Sequence, residues 1–141
     1  MTDIPGSPEL HHVGIVVGNL DEAIAQYALL GLAHPERLVL ESQGIEAAVY
    51  EAGQGYVELI SPTDPEGPIA RFLEKRGNTV HHVAFRVDDL EGTLRELAER
   101  GTRLIDTSPR PGAHGWRIAF IHPESCSGVL VELVDDSASG Q

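Results

Sequence analysis

The stretch VHHVAFRV at residues 80–87 decides the fold, because LHHVGIVV at residues 10–17 repeats it in the first half of the chain. In both stretches apolar residues alternate with small or polar ones, which is typical of a β-strand with one buried face. The match extends to HHVGIVVGNLDEAIAQYALLGL at 11–32 and HHVAFRVDDLEGTLRELAERGT at 81–102. Two copies at this spacing indicate a duplicated module, since a solenoid needs at least about three units.

Each copy is predicted to fold as β-α-β-β-β. Helical spacing follows the first strand, with Asn19 and Asp89 as the N-caps and with Gly31 and Gly101 as the stops. Three short strands are then predicted in each copy, at 36–41, 44–52 and 55–61 and at 103–107, 116–122 and 128–134.

The predicted fold class is therefore α+β, built from two tandem βαβββ modules. The 141 residues suit a single domain, which we place at 8–135. The two repeats occupy 10–61 and 80–134, and a turn-rich linker with a short helix near 67–76 occupies 62–79.

Composition excludes several classes of partner. The net charge of −12 argues against nucleic acid, which requires a basic stripe. No apolar run approaches the ~20 residues that span a bilayer, and the N-terminus lacks a signal-peptide pattern, so we expect no membrane partner and a cytoplasmic location. The most basic stretch, RFLEKRG at 71–77, is typical of a solvated helix face or of a contact for a phosphorylated ligand tail. Cys126 is the single cysteine and is interpreted as a bystander.

Strand parity assigns different faces to the two histidines of each pair. His12 and His82 each share a face with a small residue two positions on, glycine in the first copy and alanine in the second. Small neighbours leave room, so these two histidines are predicted to face a cavity. His11 and His81 are predicted to lie at the edge of the face that packs under the helix.

A glutamate recurs at matched positions, as Glu58 in YVELI and as Glu132 in VLVELV. Each lies in an apolar strand, where an unpaired charge is costly. A lone strand histidine or glutamate is more often structural, but recurrence of both in a duplication favours a shared role. Two imidazoles and two carboxylates suit a divalent cation, to which each copy contributes half of the ligands. The predicted metal ligands are His12, Glu58, His82 and Glu132.

Three segments are similar to the methylmalonyl-CoA epimerase family of the vicinal oxygen chelate superfamily. They are GPIARFLEKRGNTVHHVAFRVDDL at 67–90, LIDTSPRPGAHG at 104–115 and FIHPESCSGVLVEL at 120–133. The resemblance implies the glyoxalase-type fold, in which the two modules form a U-shaped mixed sheet around a metal. It places the ligands on the same four residues as parity does. The implied cofactor is a divalent ion, one of Co, Mn, Ni, Mg and Zn.

The resemblance implies an epimerase that acts on an acyl-CoA thioester. Such an enzyme inverts C2 of methylmalonyl-CoA by removing a proton from one face and returning it to the other through a metal-stabilised enolate. Glu132 matches one of the family's two bases. The other falls on Ala47, so we expect Glu46 to replace it through a bulge after Gly44. A water molecule on the metal or His114 is the alternative.

Substrate contacts and assembly are also implied. His114, in a glycine-flanked loop, is the expected substrate-binding residue, and Arg71, Lys75 and Arg76 are candidates for the CoA phosphates. The family suggests a homodimer. Two alternatives stay open: a glyoxalase-type isomerase or lyase on the same scaffold, and a non-catalytic small-molecule-binding protein. A dioxygenase is disfavoured, because its metal takes one carboxylate and this chain offers two.

Overall fold

The computed structural model describes residues 7–137, which divide into two compact units. The first module is His12–His81, and the second module comprises residues 7–11 and 82–137. Both boundaries therefore fall between the two histidines of a pair. Among residues 7–137, no helix has the length and apolar character needed to cross a bilayer.

The first module contains a four-stranded sheet of order β2-β3-β4-β1. Strands β1 and β4 are parallel, and the other neighbours are antiparallel. Its elements are β1 (Glu9–Val16), α1 (Leu20–Ala28), β2 (Glu36–Leu40), β3 (Ile45–Ala52), β4 (Gly55–Pro62) and α2 (Pro68–Arg76). Strand β1 belongs to this module from His12 onward.

The second module repeats this plan in the order β5-β8-β7-β6. Again the first and last strands of the module, β5 and β8, are parallel, and the other neighbours are antiparallel. Its elements are β5 (Thr79–Arg86), α3 (Leu90–Glu99), β6 (Arg110–Pro111), β7 (Arg117–Ile121) and β8 (Val131–Asp135). Strand β5 belongs to this module from His82 onward. The predicted α+β class and the duplicated β-α-β-β-β order are confirmed.

The helix ends follow the predicted signals. The side chains of Asn19 and Asp89 each accept a hydrogen bond of 3.0 Å from the backbone N–H three residues on, which confirms both N-caps. Gly31 and Gly101 have positive φ angles of 92° and 84° and complete the turns after α1 and α3. The predicted linker helix is α2.

One strand prediction is wrong. Residues 103–107 form no strand; Leu104 makes an isolated bridge to β7, and the fourth strand of the module is β6 at Arg110–Pro111. The reason lies in Asp106, whose carboxylate accepts a 2.8 Å hydrogen bond from the backbone N–H of Phe120. The N–H of Phe120 therefore donates to a side chain, whereas in a continuous β-ladder it would donate to a backbone carbonyl of the neighbouring strand.

The two faces of the first module's sheet pack against different helices. On the face that packs against α1, called the α1 face, the buried cluster contains Leu20 and Ala23 of that helix and the residues Val17, Ala48, Tyr50 and Leu59. The opposite face carries Val16 and Ile60, against which Phe72 and Leu73 of α2 pack. Because His12 and Glu58 share the parity of Val16 and Ile60 on β1 and β4, α2 lies on the same sheet face as those two residues.

Candidate metal centre

The first module brings His12 and Glu58 together through the register of its parallel strands. Gly14 lies opposite Glu58, which places His12 two residues back on the same face. The Nε2 atom of His12 lies 2.7 Å from Oε2 of Glu58. Both residues are buried, with 2% and 8% of their surfaces exposed.

The second module repeats this arrangement with His82 and Glu132. Here Ala84 lies opposite Glu132, and Nε2 of His82 is 3.1 Å from Oε2 of Glu132. Each residue is 5% exposed. The parity argument therefore selected the histidine that meets a buried glutamate in each module.

The spacing of both pairs fits two ligands of one divalent ion. Donors bound at about 2.1 Å from a cation and about 90° apart lie about 3.0 Å from each other. The observed separations of 2.7 Å and 3.1 Å are of this size. Imidazole nitrogen with carboxylate oxygen is also a donor set that divalent transition metals accept. Each module thus brings together one buried half of the predicted ligand set, at a separation compatible with a shared ion.

An aromatic ring lies beside the second pair. Phe120 is opposite Glu132 on β7, and its ring meets the His82 ring edge-on at 6.0 Å between centroids. The guanidinium of Arg110 lies over Phe120, 5.0 Å from its centroid. Apolar cover of this kind keeps the local dielectric low, which strengthens charge interactions at the pair. Neither residue stands out in the sequence, because their placement depends on the β7–β8 register.

The other histidine of each pair has a different environment. The His11 ring meets Trp116 edge-on at 4.5 Å, and its Nε2 lies 3.3 Å from Oδ2 of Asp136. The His81 ring meets Phe72 of α2 at 4.7 Å. These neighbours are Trp116 and α2, not α1 or α3, so the predicted place of His11 and His81 at the edge of the helix-packed face stays a prediction.

His114 lies in a short 3₁₀ turn, Ala113–Gly115, with a left-handed backbone at φ 60°. Its ring is tilted against Trp116 at 4.7 Å between centroids. The buried Trp116 ring therefore contacts both His11 and His114. This packing fixes the position of the loop that carries His114, and the expected contact with substrate stays a prediction.

Glu46 does not share a face with Glu58. Strands β3 and β4 pair in unbroken register from Ile45 opposite Pro62 to Ala52 opposite Gly55, so no bulge interrupts residues 45–52. Val49 lies opposite Glu58, which puts Ala47 on the Glu58 face and Glu46 on the α1 face. The prediction of a bulge after Gly44 is wrong. Without the bulge, Glu46 has no geometric support as the second base.

The lone thiol has the properties of a structural residue. Cys126 packs against the apolar cluster under α3. Burial raises the pKa of its thiol. Because the thiolate is the reactive form, this environment suppresses nucleophilic behaviour, in agreement with the bystander interpretation.

Comparisons with known proteins agree with the fold. The family model of the Glyoxalase/Bleomycin resistance protein/Dioxygenase superfamily matches residues 11–120. Protein YqjC of Bacillus subtilis is 41% identical over 89% of this chain and 91% of its own length. The mitochondrial methylmalonyl-CoA epimerase of Bos taurus is 36% identical over 88% of this chain and 72% of its own length. A solved structure of methylmalonyl-CoA epimerase in complex with methylmalonyl-CoA and NH4+ matches with a TM-score of 0.85 and 32% identity, over 94% of this chain and 97% of that chain.

Proposed function

Since the chain belongs to the Glyoxalase/Bleomycin resistance protein/Dioxygenase superfamily and is a methylmalonyl-CoA epimerase-like isomerase, we propose that it inverts C2 of methylmalonyl-CoA with the help of a divalent metal. One observation carries the proposal: the same buried His–Glu pair, spaced as two metal ligands, occurs in both modules. The methylmalonyl-CoA epimerase of the solved complex binds methylmalonyl-CoA, which supports an acyl-CoA thioester as the substrate here.

The proposed metal takes its ligands from both pairs, namely His12 and Glu58 from the first module and His82 and Glu132 from the second. Nitrogen and oxygen donors are compatible with Co²⁺, Mn²⁺, Ni²⁺, Mg²⁺ and Zn²⁺. When bound, such a cation polarises the substrate's carboxylate and thioester oxygens and offsets the negative charge that develops on them.

Proton transfer is assigned in part to Glu132. Its carboxylate is buried, lies 3.1 Å from the imidazole of His82 and stands opposite Phe120 of β7. We propose that Glu132 removes or returns the C2 proton on one face of the substrate. Inversion requires a second group on the other face. His114 is proposed to contact the substrate, and it is the chain's remaining candidate for that second role.

Two further properties come from the sequence and the family. We propose a homodimer and a cytoplasmic location, neither of which follows from the contacts within one chain. The acyl group is proposed to be methylmalonyl. An ethylmalonyl group is one methylene longer, a difference that changes binding by only about 1–3 kcal/mol.

The test is isotope exchange at C2. The protein is incubated with one epimer of methylmalonyl-CoA in deuterated water, with and without a chelator, and is then resupplied with each of the five cations. We expect label at C2 together with interconversion of the epimers, loss of both with chelator and recovery with at least one cation. A protein that exchanges no label with any cation is not this epimerase. Turnover of a glutathione hemithioacetal in its place would support the glyoxalase-type alternative.

A further inference from the structure

The ring of Phe120 lies on the sheet face of the second module that is opposite to α3. Helix α3 packs against a buried cluster whose strand residues include Ala119 and Ile121 of β7. Because Phe120 alternates with these two residues along β7, it lies on the other face, together with Glu132. It is half-buried there, so part of an aromatic ring beside the proposed base is open to a ligand.

Asp106 and Arg110 hold Phe120 in place. Oδ2 of Asp106 accepts a 2.8 Å hydrogen bond from the backbone N–H of Phe120, and the same oxygen lies 3.3 Å from Nε of Arg110. The guanidinium of Arg110 in turn lies over the Phe120 ring, 5.0 Å from its centroid, and the ring of His82 meets it edge-on. These contacts fix both the backbone and the ring, so Phe120 presents a rigid apolar surface.

The proposed proton transfer brings the reacting carbon close to this ring. Exchange of a proton between Glu132 and C2 of the substrate requires the two heavy atoms to approach to about 2.6–3.2 Å. Phe120 is directly opposite Glu132 on the antiparallel neighbour strand, where paired residues have Cβ atoms about 4.5–5.5 Å apart. A carbon within reach of the carboxylate therefore has the Phe120 ring as a neighbour, and its alkyl substituent has to fit beside that ring.

We propose that Phe120 is a specificity-determining residue, whose ring packs against the C2 substituent of the substrate and limits its size. The inference rests on the proposed function and deepens it, because it assigns the residue that distinguishes methylmalonyl-CoA from thioesters with a longer 2-alkyl group. A methyl group gains apolar contact with the ring. A longer alkyl group has to displace a side chain that Asp106 and Arg110 hold in place, which is unfavourable.

The test measures Kd by isothermal titration calorimetry for methylmalonyl-CoA, ethylmalonyl-CoA and butylmalonyl-CoA, with the same divalent cation added throughout. Each thioester is supplied as a mixture of both epimers, so turnover does not alter the ligand. The wild-type chain is expected to bind methylmalonyl-CoA about tenfold or more tightly than butylmalonyl-CoA. In Phe120→Ala we expect this ratio to fall by about tenfold, because the space left by the ring admits the longer chain. The affinity for free CoA, which has no acyl group, should not change.

Phe85→Ala is the matched control. Phe85 is also a half-buried phenylalanine of the second module, but it lies on the opposite face of β5 from His82 and packs against the α3 cluster. It should keep the wild-type ratio. Thermal unfolding checks that each variant is folded, and Phe120→Leu, which removes less volume, should shift the ratio in the same direction by a smaller factor if Phe120→Ala does not fold.

The outcomes separate this role from the proposed function. A wild-type chain that binds butylmalonyl-CoA as tightly as methylmalonyl-CoA overturns the role of Phe120. A ratio that is unchanged in a folded Phe120 variant, or that shifts equally in Phe85→Ala, also overturns it. If the ratio follows Phe120 while methylmalonyl-CoA exchanges no label at C2, the contact stands and the epimerase proposal fails. Label exchange with an unchanged ratio has the opposite meaning.

Discussion

Each buried His–Glu pair makes its two members depend on each other. Removal of either imidazole leaves a carboxylate buried without its 2.7 Å or 3.1 Å partner and removes one proposed metal ligand. We therefore expect each single alanine substitution to weaken divalent-metal affinity by at least about 100-fold. Substitution of a residue that only hydrogen-bonds to a metal ligand already costs about 10–100-fold, and loss of a ligand itself should cost more. The variants are His12→Ala, Glu58→Ala, His82→Ala and Glu132→Ala.

Metal content per chain after dialysis measures this effect, with thermal unfolding as a check on folding. His81→Ala is the matched control, because His81 neighbours His82 but contacts Phe72 of α2. It should retain the metal. Full occupancy in His12→Ala or His82→Ala would contradict the ligand set.

Single residues were predictable from the sequence where strand parity applied. The pattern distinguished His12 from His11 and paired the right histidine with a glutamate, because alternation fixes faces without knowledge of register. The contacts of His11 with Trp116 and Asp136 were not predictable, since they join residues more than a hundred positions apart. Phe120 beside His82 was not predictable either, because its placement depends on the β7–β8 register.

At the scale of elements, β3 supplies a test of the proton-transfer assignment. Its unbroken pairing with β4 places Glu46 on the α1 face, away from Glu58. We expect Glu46→Gln to keep its metal and to epimerise methylmalonyl-CoA at close to the wild-type rate. Glu132→Gln should lose inversion, because it removes a carboxylate of the centre.

The two variants, Glu46→Gln and Glu132→Gln, are compared by measuring label uptake at C2 and the ratio of epimers together. If Glu46→Gln took up label while keeping its configuration, one face would have lost its base. That result would return Glu46 to the site and would require β3 to differ in solution from its regular register.

Elements with a complete local signal were predicted well, and one without such a signal was not. The N-caps Asn19 and Asp89 act through neighbours three residues away, so the sequence contains the whole interaction. The segment at 103–107 has strand-like composition, yet a hydrogen bond from Phe120 to the Asp106 side chain breaks its ladder. Side-chain competition for a distant backbone donor leaves no local pattern to detect.

At the scale of the whole molecule, the prediction concerns the oligomeric state. Strand β2 is at the end of the first module's strand order and carries Val39 with 63% of its surface exposed. An exposed strand edge of this kind favours pairing with another chain. We expect light scattering to give about twice the chain mass of 15.2 kDa. A mass of one chain at micromolar concentration would contradict the homodimer.

The duplication explains why so much of the architecture was predictable. The repeat of HHV at 11–13 and 81–83 fixes two equivalent starting strands, and the order of elements after them follows from period changes in each copy. The identity of the ligand had no such source, since four nitrogen and oxygen donors suit many substrates. The proposed ligand therefore rests on the relatives that are methylmalonyl-CoA epimerases.

The ring of Trp116, packed against His11 and His114, has a practical consequence. It is the single tryptophan of the chain, and His11 is joined by one peptide bond to the proposed ligand His12. Indole fluorescence varies with the charge and polarity of the atoms that touch the ring. The chain therefore carries its own optical reporter, free of background from other tryptophans, whose emission wavelength and intensity would follow loading of the centre and entry of a ligand in real time.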